Sequence, residues 1–309
     1  MSGHELHAHL DQYLALRAAL NYKVERARRD LNDFLQYVER HNLGKPISAQ
    51  MALEWACLSR DAVAGHAGRL SRARGFLYFL RASEPETEVP AFGLIASPRR
   101  TNPYIYSQEQ ICRLIDAAQE LGPSASLRPQ TYATMIGLLA SAGLRMGEAL
   151  HLLDTDVLVD DSQPTLHVRE SKFRKSRIVP IHVTAADNLR AYRLKRGESV
   201  PFFKGEQNKP LSHSSAWLAF TEIRNRAGIK VTPDGRRPTL HALRHTFAVN
   251  RILNWYRQGM DVQRWLPHLS VYLGHTEPRD TYWYLSATPE LLRRASDSFK
   301  RFAGEEDAS

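Results

Sequence analysis

The sequence predicts a mainly α-helical protein of two domains, in which the second, α+β domain also carries a small antiparallel β-sheet. From Glu5 to about Ala82, apolar residues recur every three or four positions, which is the spacing of amphipathic helices. Between Val157 and His182 the pattern changes to alternating and β-branched segments separated by turn-like residues, which predicts three short strands. A chain of 309 residues is long enough to bury about two separate cores.

Residues 1–90 are predicted to form an all-α domain of four helices. The second helix runs to an Asn-Leu-Gly stop, at which Gly44 fits a C-terminal cap. Ser48 and Asp61 fit the N-caps of the third and fourth helices, because their side-chain oxygens can accept hydrogen bonds from the first N–H groups of a helix.

Residues 91–106 are predicted to link the two domains, because the segment around them is rich in Pro, Glu and Ser and has no periodicity. The second domain, residues 107–309, begins with a capping box in the stretch Ser-Gln-Glu-Gln. A further helix is predicted to end at Gly143, and Arg145 then lies at the turn into the next helix. Lys172 falls at or beside the second hairpin of the predicted sheet, and helical patterns then continue to a C-terminal tail helix.

The charge balance favours a polyanionic partner. The chain has 42 Lys and Arg residues against 33 Asp and Glu residues, a formal net charge of +9. Nucleic acid is the commonest partner of such a basic protein, although an excess of this size can also serve solubility alone. Arg69, Arg72 and Arg74 on the fourth helix are candidates for contact with the DNA backbone; a solvated basic face is the alternative.

The cysteines and the hydropathy indicate a reduced, cytoplasmic setting. Cys57 and Cys112 are too few for a disulfide framework and too far apart for a zinc knuckle. No apolar run approaches the length of a membrane span, and the polar N-terminus does not resemble a signal peptide. A protein that binds DNA in this compartment would be associated with the nucleoid.

The stretch HALRHTF places three cation-capable side chains on one helical face, because His241, Arg244 and His245 stand at i, i+3 and i+4. A zinc helix of the His-Glu-x-x-His type needs a Glu where this chain has Ala242, and a guanidinium would repel the metal. Surface histidines on a packed helix are the plain alternative. A bound phosphate is the third, because it offsets the repulsion among the three groups.

Six residues in order, the first of them followed by an acid, carry a resemblance to a known family. An Arg is followed three residues later by an acid in LRMGEAL, a Lys lies in the hairpin, and His-x-x-Arg is followed by Leu-Gly-His and then by a Tyr nine residues after that His. At these points the sequence resembles the tyrosine recombinases, or phage integrases, from Tyr104 to about Phe302. The matching residues are Arg145 with Glu148, Lys172, His241, Arg244, His275 and Tyr284.

The resemblance implies metal-free cleavage of a phosphodiester, with neither cofactor nor ATP. Two arginines can fork N–H bonds onto the non-bridging oxygens, and His275 adds a third donor. Tyr284 would be the nucleophile, with His241 as its helper and Lys172 as the acid for the leaving oxygen. Supporting roles are expected for Glu148, behind Arg145 or His241, and for His245.

Several alternatives stay open at this stage. Tyr282 is a rival nucleophile, and Lys175 is a second candidate for the acid; Lys175 and Arg177 on the same hairpin are also candidates for DNA contact. The chemistry is shared by type IB topoisomerases and telomere resolvases, and a non-catalytic DNA-binding protein could keep the same fold. The tail helix could pack on its own domain or dock on a neighbouring protomer.

The family also implies partners. These are double-stranded recombination sites, a homotetramer or related recombinase protomers that exchange strands through a Holliday junction, and possible accessory proteins. Integration, transposition and replicon resolution are all compatible with the sequence, so a mobile genetic element is one expected setting. The N-terminal helices would then correspond to the core-binding domain of the family.

Overall fold

The chain forms two compact units, Met1–Arg100 and Thr101–Ser309, and the junction falls within the segment predicted as a linker. The structure is a computed structural model, and it describes residues 2–42, 45–58, 63–96, 102–123, 126–169, 176–205, 209–286 and 288–302. Both units are mainly helical, and a single three-stranded antiparallel sheet lies in the second unit among these residues. The predicted fold class is therefore confirmed.

The N-terminal unit is a helical domain around one apolar core. Large side chains with no measurable exposure, among them Leu14, Phe34 and Phe76, pack at its centre. Ser48 accepts a bond from the backbone N–H of Met51, as expected for an N-cap, whereas Gly44 and Asp61 lie outside the described residues. The helices are α1 (Gly3–Ala19), α2 (Glu25–Asn42), α3 (Ala49–Cys57) and α4 (Val63–Leu80).

The arginines of α4 bind partners within their own unit. Arg69 pairs with Asp33 at 2.7 Å, and Arg72 pairs with Asp30 at 2.5 Å. Arg74 donates two bonds of 2.8 Å to backbone carbonyls in the segment that follows α4. These three side chains therefore stabilise the helical packing, and the DNA contact predicted for them stays a prediction.

The second unit surrounds the sheet with helices. Strands β1 (Val157–Leu158), β2 (Thr165–Val168) and β3 (Arg177–Pro180) pair in sequence order, and Leu166 faces Val179 across the ladder. Both of these residues are fully buried, as the alternation of side chains in a strand requires. The helices are α5 (Gln108–Gln119), α6 (Arg128–Ala142), α7 (Met146–Leu150), α8 (Val183–Arg196), α9 (His213–Arg226), α10 (Leu240–Arg257), α11 (Val262–Leu273), α12 (Arg279–Tyr282) and α13 (Pro289–Phe302).

Helix α10 joins two apolar clusters of the second unit. Leu240 and Leu243 belong to the cluster formed with α5, α6, α8, α9 and the sheet, whereas Phe247 and the residues after it belong to the cluster formed with α11. Arg244 lies between these two stretches and is only 1% exposed. A fully buried guanidinium is expensive unless it is paired, so its partners define the centre of the domain.

The tail helix α13 begins by packing on its own domain. Thr288 caps it by accepting a bond from the N–H of Leu291, whose side chain is fully buried in the α10–α11 cluster. An ion pair between Arg257 and Glu290 also joins α13 to α10. The first turns of α13 therefore pack on their own domain, which is one of the two alternatives predicted for the tail helix. Docking on a neighbouring protomer stays a prediction.

No helix among the described residues is long and apolar enough to cross a membrane. Cys57 and Cys112 are both exposed free thiols.

Candidate active site

Two helix C-termini meet at the site, and each ends at a glycine. Gly143 ends α6 with φ 61° and Gly274 ends α11 with φ 67°, backbone conformations that side chains rarely adopt. A Cβ at Gly143 would lie 2.4 Å from the ring of Phe247, and one at Gly274 would lie 2.8 Å from the guanidinium of Arg177. Both positions therefore need glycine for backbone shape and for space.

The carbonyls at these two helix ends hold the two predicted phosphate-binding arginines. Arg244 donates from Nη1 to the carbonyl of Gly143 at 2.8 Å and from Nη2 to that of Leu273 at 2.7 Å. Arg145 donates from Nη2 to the carbonyl of Gly274 at 2.8 Å. The C-terminus of a helix carries partial negative charge, so it favours a cation. The two helix ends that terminate in glycine thus position both guanidinium groups in the site.

Glu148 forms ion pairs with the arginines of the site. Its carboxylate accepts a 2.7 Å bond from Nη1 of Arg145 and a forked pair of 3.0 and 2.9 Å from Arg177, and Nη1 of Arg244 lies 4.0 Å away. Burial would raise the pKa of Glu148, but the bonds and charge of Arg177, together with Arg145, lower it to about 2. Of the two supporting roles predicted for Glu148, the structure shows the contact with Arg145.

Arg177 fastens strand β3 to this cluster. Besides the fork onto Glu148, its Nε donates to the carbonyl of Tyr272 at 2.8 Å, and the side chain is only 11% exposed. It was expected to contact DNA; that role stays untested, and the geometry gives Arg177 an internal one. The alternation of side chains along β3 could have indicated this internal role. Arg177 and Val179 are two residues apart, so they share one face of the strand, and this face is the buried one.

Three guanidiniums around one carboxylate leave the site positively charged. Burial, and then the charge of Arg145, lower the pKa of Arg244 to about 10, so Arg244 remains charged at neutral pH. The bonds described above engage two of the five N–H groups of Arg145 and of Arg244. The arrangement can therefore bind an anion with preorganised donors.

Three histidines and the predicted nucleophile complete the site. Nδ1 of His245 lies 2.9 Å from the hydroxyl oxygen of Tyr284, and the ring of His241 meets that of His245 edge-on at 4.5 Å. His275 bonds through Nδ1 to the hydroxyl of Thr281 at 2.7 Å, and its ring lies nearly parallel to that of Tyr284. His245 therefore makes a direct contact with the candidate nucleophile, which its predicted supporting role did not include.

The two candidate nucleophiles differ in their surroundings. Tyr284 is 1% exposed and lies in the α10–α11 cluster, next to His245 and His275. Tyr282 is 45% exposed, on the short helix before it. The contacts with histidines favour Tyr284.

The hairpin lysines Lys172 and Lys175 lie outside the described residues. Arg177, at the start of strand β3, is bonded to Glu148, so the first residue of this strand lies next to that carboxylate. Within the described ranges, no group of three or more His, Cys, Asp or Glu side chains is placed to hold a metal ion.

Glu148→Gln is expected to destabilise the second unit at neutral pH, and the difference from the wild type should shrink in acid. The folded-state pKa of about 2 lies below the ordinary value of 4.5, so the ionised group stabilises the fold above pH 4.5 and loses this effect as the pH falls towards 2. A shift of this size corresponds to about 3 kcal/mol. Thermal unfolding across this acid range measures the difference, and a constant gap between the two proteins would contradict the ion-pair assignment.

Comparison with known proteins places this site in a family. The model of the phage integrase family matches residues 105–290. The putative integrase/recombinase y4rB of Sinorhizobium fredii is 36% identical over 304 residues, which cover 94% of this chain and 96% of that protein. Tyrosine recombinase XerC of Methylobacterium nodulans is 29% identical over 300 residues, 91% of this chain and 87% of that protein.

Solved structures show the same fold. The Tn1549 transposon integrase in complex with transposon right end DNA matches with a TM-score of 0.67 and 16% identity, over 98% of this chain and 100% of that one. A lambda integrase tetramer bound to a Holliday junction matches with a TM-score of 0.63 and 18% identity, over 88% and 78% of the two chains.

The fold and the sequence matches define a DNA strand transferase of the integrase class. The chain belongs to the tyrosine recombinase, or phage integrase, family.

Proposed function

We propose that this protein is a site-specific recombinase that cleaves and rejoins DNA strands through a 3′-phosphotyrosine at Tyr284, without metal or ATP. One observation carries the proposal: α10 presents Arg244, held by two helix ends, directly beside His245, which is bonded to the hydroxyl of Tyr284. A phosphate bound by this guanidinium would lie close to a tyrosine oxygen that is already hydrogen-bonded to an imidazole.

The arginines stabilise the charge that develops on the phosphate. Arg145 and Arg244 direct N–H groups from a rigid scaffold, so little reorganisation is needed when the non-bridging oxygens gain charge. His241 is exposed on the same helix face, and His275 lies beside the tyrosine ring, so both are within the same group of side chains. We assign both to donate hydrogen bonds to the phosphate.

The leaving 5′-oxygen needs a proton, because a sugar alkoxide is a poor leaving group. We assign this acid to Lys172 of the β2–β3 hairpin, with Lys175 as the alternative. The support is the position of strand β3, which begins with Arg177; this residue is bonded to Glu148, the same carboxylate that accepts a bond from Arg145.

Duplex DNA is the proposed substrate, and the proposed active assembly is a tetramer on two sites. The net charge of +9 supports the first part. By their likeness in fold, the Tn1549 integrase on transposon right end DNA supports the first part, and the lambda integrase tetramer on a Holliday junction supports both parts. Localisation at the nucleoid and the participation of accessory proteins remain proposals of the same kind.

Strand exchange between two marked duplexes tests this function. The duplexes carry a site selected by binding from a random-sequence library, and each strand has a different label. We expect both labels in recombinant strands and covalent protein–DNA complexes under denaturing conditions. Relaxation of supercoiled plasmid without exchange would indicate a topoisomerase, and binding without any covalent complex would indicate a non-catalytic protein.

A further inference from the structure

We propose that His245 is the general base of the reaction, which takes the proton of the Tyr284 hydroxyl during cleavage and returns it during rejoining. The inference rests on the proposed function and assigns a second histidine of α10 to the same site. It differs from the expectation drawn from the sequence, in which His241 was the helper and His245 only a support.

The bond between the two residues has the geometry of proton transfer. Nδ1 of His245 and the hydroxyl oxygen of Tyr284 are 2.9 Å apart, within the reach that a general base needs. In the tautomer with its hydrogen on Nε2, Nδ1 is an acceptor, and the phenol donates to it. The same bond can therefore carry the proton when the oxygen attacks phosphorus.

The tyrosine needs such an acceptor because bulk water does not reach it. Tyr284 is only 1% exposed, with Trp283 and His275 against its ring. A free tyrosine has a pKa of about 10, so it attacks slowly at neutral pH unless a neighbour removes the proton. His245 is half-buried and faces Tyr284 directly.

The other histidines have different positions in the site. Nδ1 of His275 is bonded to the hydroxyl of Thr281 at 2.7 Å, and the ring of His275 lies nearly parallel to that of Tyr284. His241 is exposed and stands one helical turn before His245. The groups that face His245 include His241 from its own helix and Tyr284 and Trp283 from the turn after α12.

The step balances in atoms and charge. The O–H bond of Tyr284 breaks and its proton moves to Nδ1, while the phenolic oxygen forms a bond to phosphorus. The bond from phosphorus to the 5′-oxygen breaks, and that oxygen takes a proton from the acid assigned to Lys172. Rejoining reverses each transfer, and the imidazolium of His245 returns its proton to the tyrosine oxygen.

His245→Asn is the decisive variant, because its amide oxygen can occupy the place of Nδ1 and keep the bond to Tyr284 but cannot accept a proton. We expect single-turnover formation of the covalent complex to slow about 10²–10⁴-fold, with DNA binding unchanged. His245→Gln is the second variant, and it should be slowed as well because its amide is no base either. His268→Asn on the exposed face of α11 is the control, and it should keep the wild-type rate. The probe is a nicked duplex that carries the selected site.

Two chemical substitutions separate the base from the acid. With sulfur in place of the 5′-bridging oxygen, the leaving group hardly needs a proton, so Lys172→Ala should recover its rate while His245→Asn remains slow. Difluorotyrosine at position 284 gives a more acidic phenol, and it should restore His245→Asn but not Lys172→Ala. A merely structural role for His245 would produce neither selectivity.

The results that overturn the proposal are distinct from failure of the proposed function. If the wild type forms no covalent complex, the function itself is wrong. If the wild type reacts and His245→Asn or His245→Gln reacts at the same rate or faster, the bond to Tyr284 only restrains the tyrosine, and the proposed base is wrong. A defect of His245→Asn that disappears with the sulfur substrate would likewise contradict it.

Discussion

Tyr284→Phe is expected to bind its DNA site with wild-type affinity and to form no covalent complex. The substitution removes only the oxygen, so the ring keeps its packing in the α10–α11 cluster and its contact with His275. Loss of the hydrogen bond to His245 costs about 1 kcal/mol of stability, too little to unfold the domain. Gel retardation measures binding, and denaturing electrophoresis of the same samples measures the complex.

Tyr282→Phe is the matched control for this experiment. Tyr282 is only two residues away but 45% exposed, and it should retain most of the activity. If Tyr282→Phe abolished the covalent complex while Tyr284→Phe retained it, the assignment of the nucleophile would be wrong.

Arg244→Lys is expected to slow cleavage about 10²–10³-fold, the usual effect of removing one donor of an oxyanion site. A lysine keeps the charge but cannot bind two carbonyls and a phosphate with one planar group. The carbonyls of Gly143 and Leu273 would compete for it at a fully buried position, so the melting temperature should fall as well. Single-turnover kinetics and thermal unfolding measure the two effects.

Arg257→Lys is the control for Arg244, since it lies at the exposed end of the same helix and pairs with Glu290. This variant should leave the rate of cleavage unchanged. A wild-type rate in Arg244→Lys would mean that the buried guanidinium serves only to join the two helix ends.

The order and spacing of motifs predicted much of the site because they reflect local geometry. Positions i, i+3 and i+4 bring His241, Arg244 and His245 to one face whatever surrounds the helix. Gly143 was predicted as a helix end, and the structure shows what this end and the end at Gly274 bind: the carbonyls of Gly143 and Leu273 accept bonds from Arg244, and the carbonyl of Gly274 accepts one from Arg145.

Pairings across long stretches of sequence could not be predicted in the same way. The basic face of α4 suggested DNA, but Asp30 and Asp33 of α2 lie opposite Arg72 and Arg69, and only tertiary packing brings them there. Arg177 and Glu148 are 29 residues apart, and no local pattern links them. The partner of His245 depends on how the turn after α12 folds back on α10, so its bond to Tyr284 was not visible in the sequence.

The phosphotyrosine claim is tested most directly by locating the covalent bond. The wild-type protein is incubated in excess EDTA with a nicked duplex of the selected site, which loses its 5′-hydroxyl fragment on cleavage and so traps the complex. Protease digestion and mass spectrometry then identify the modified peptide. We expect the peptide with Tyr284 to carry nucleotide through a 3′-phosphate. Attachment at another residue, a 5′ linkage, or a complex that forms only after metal is restored would contradict the account.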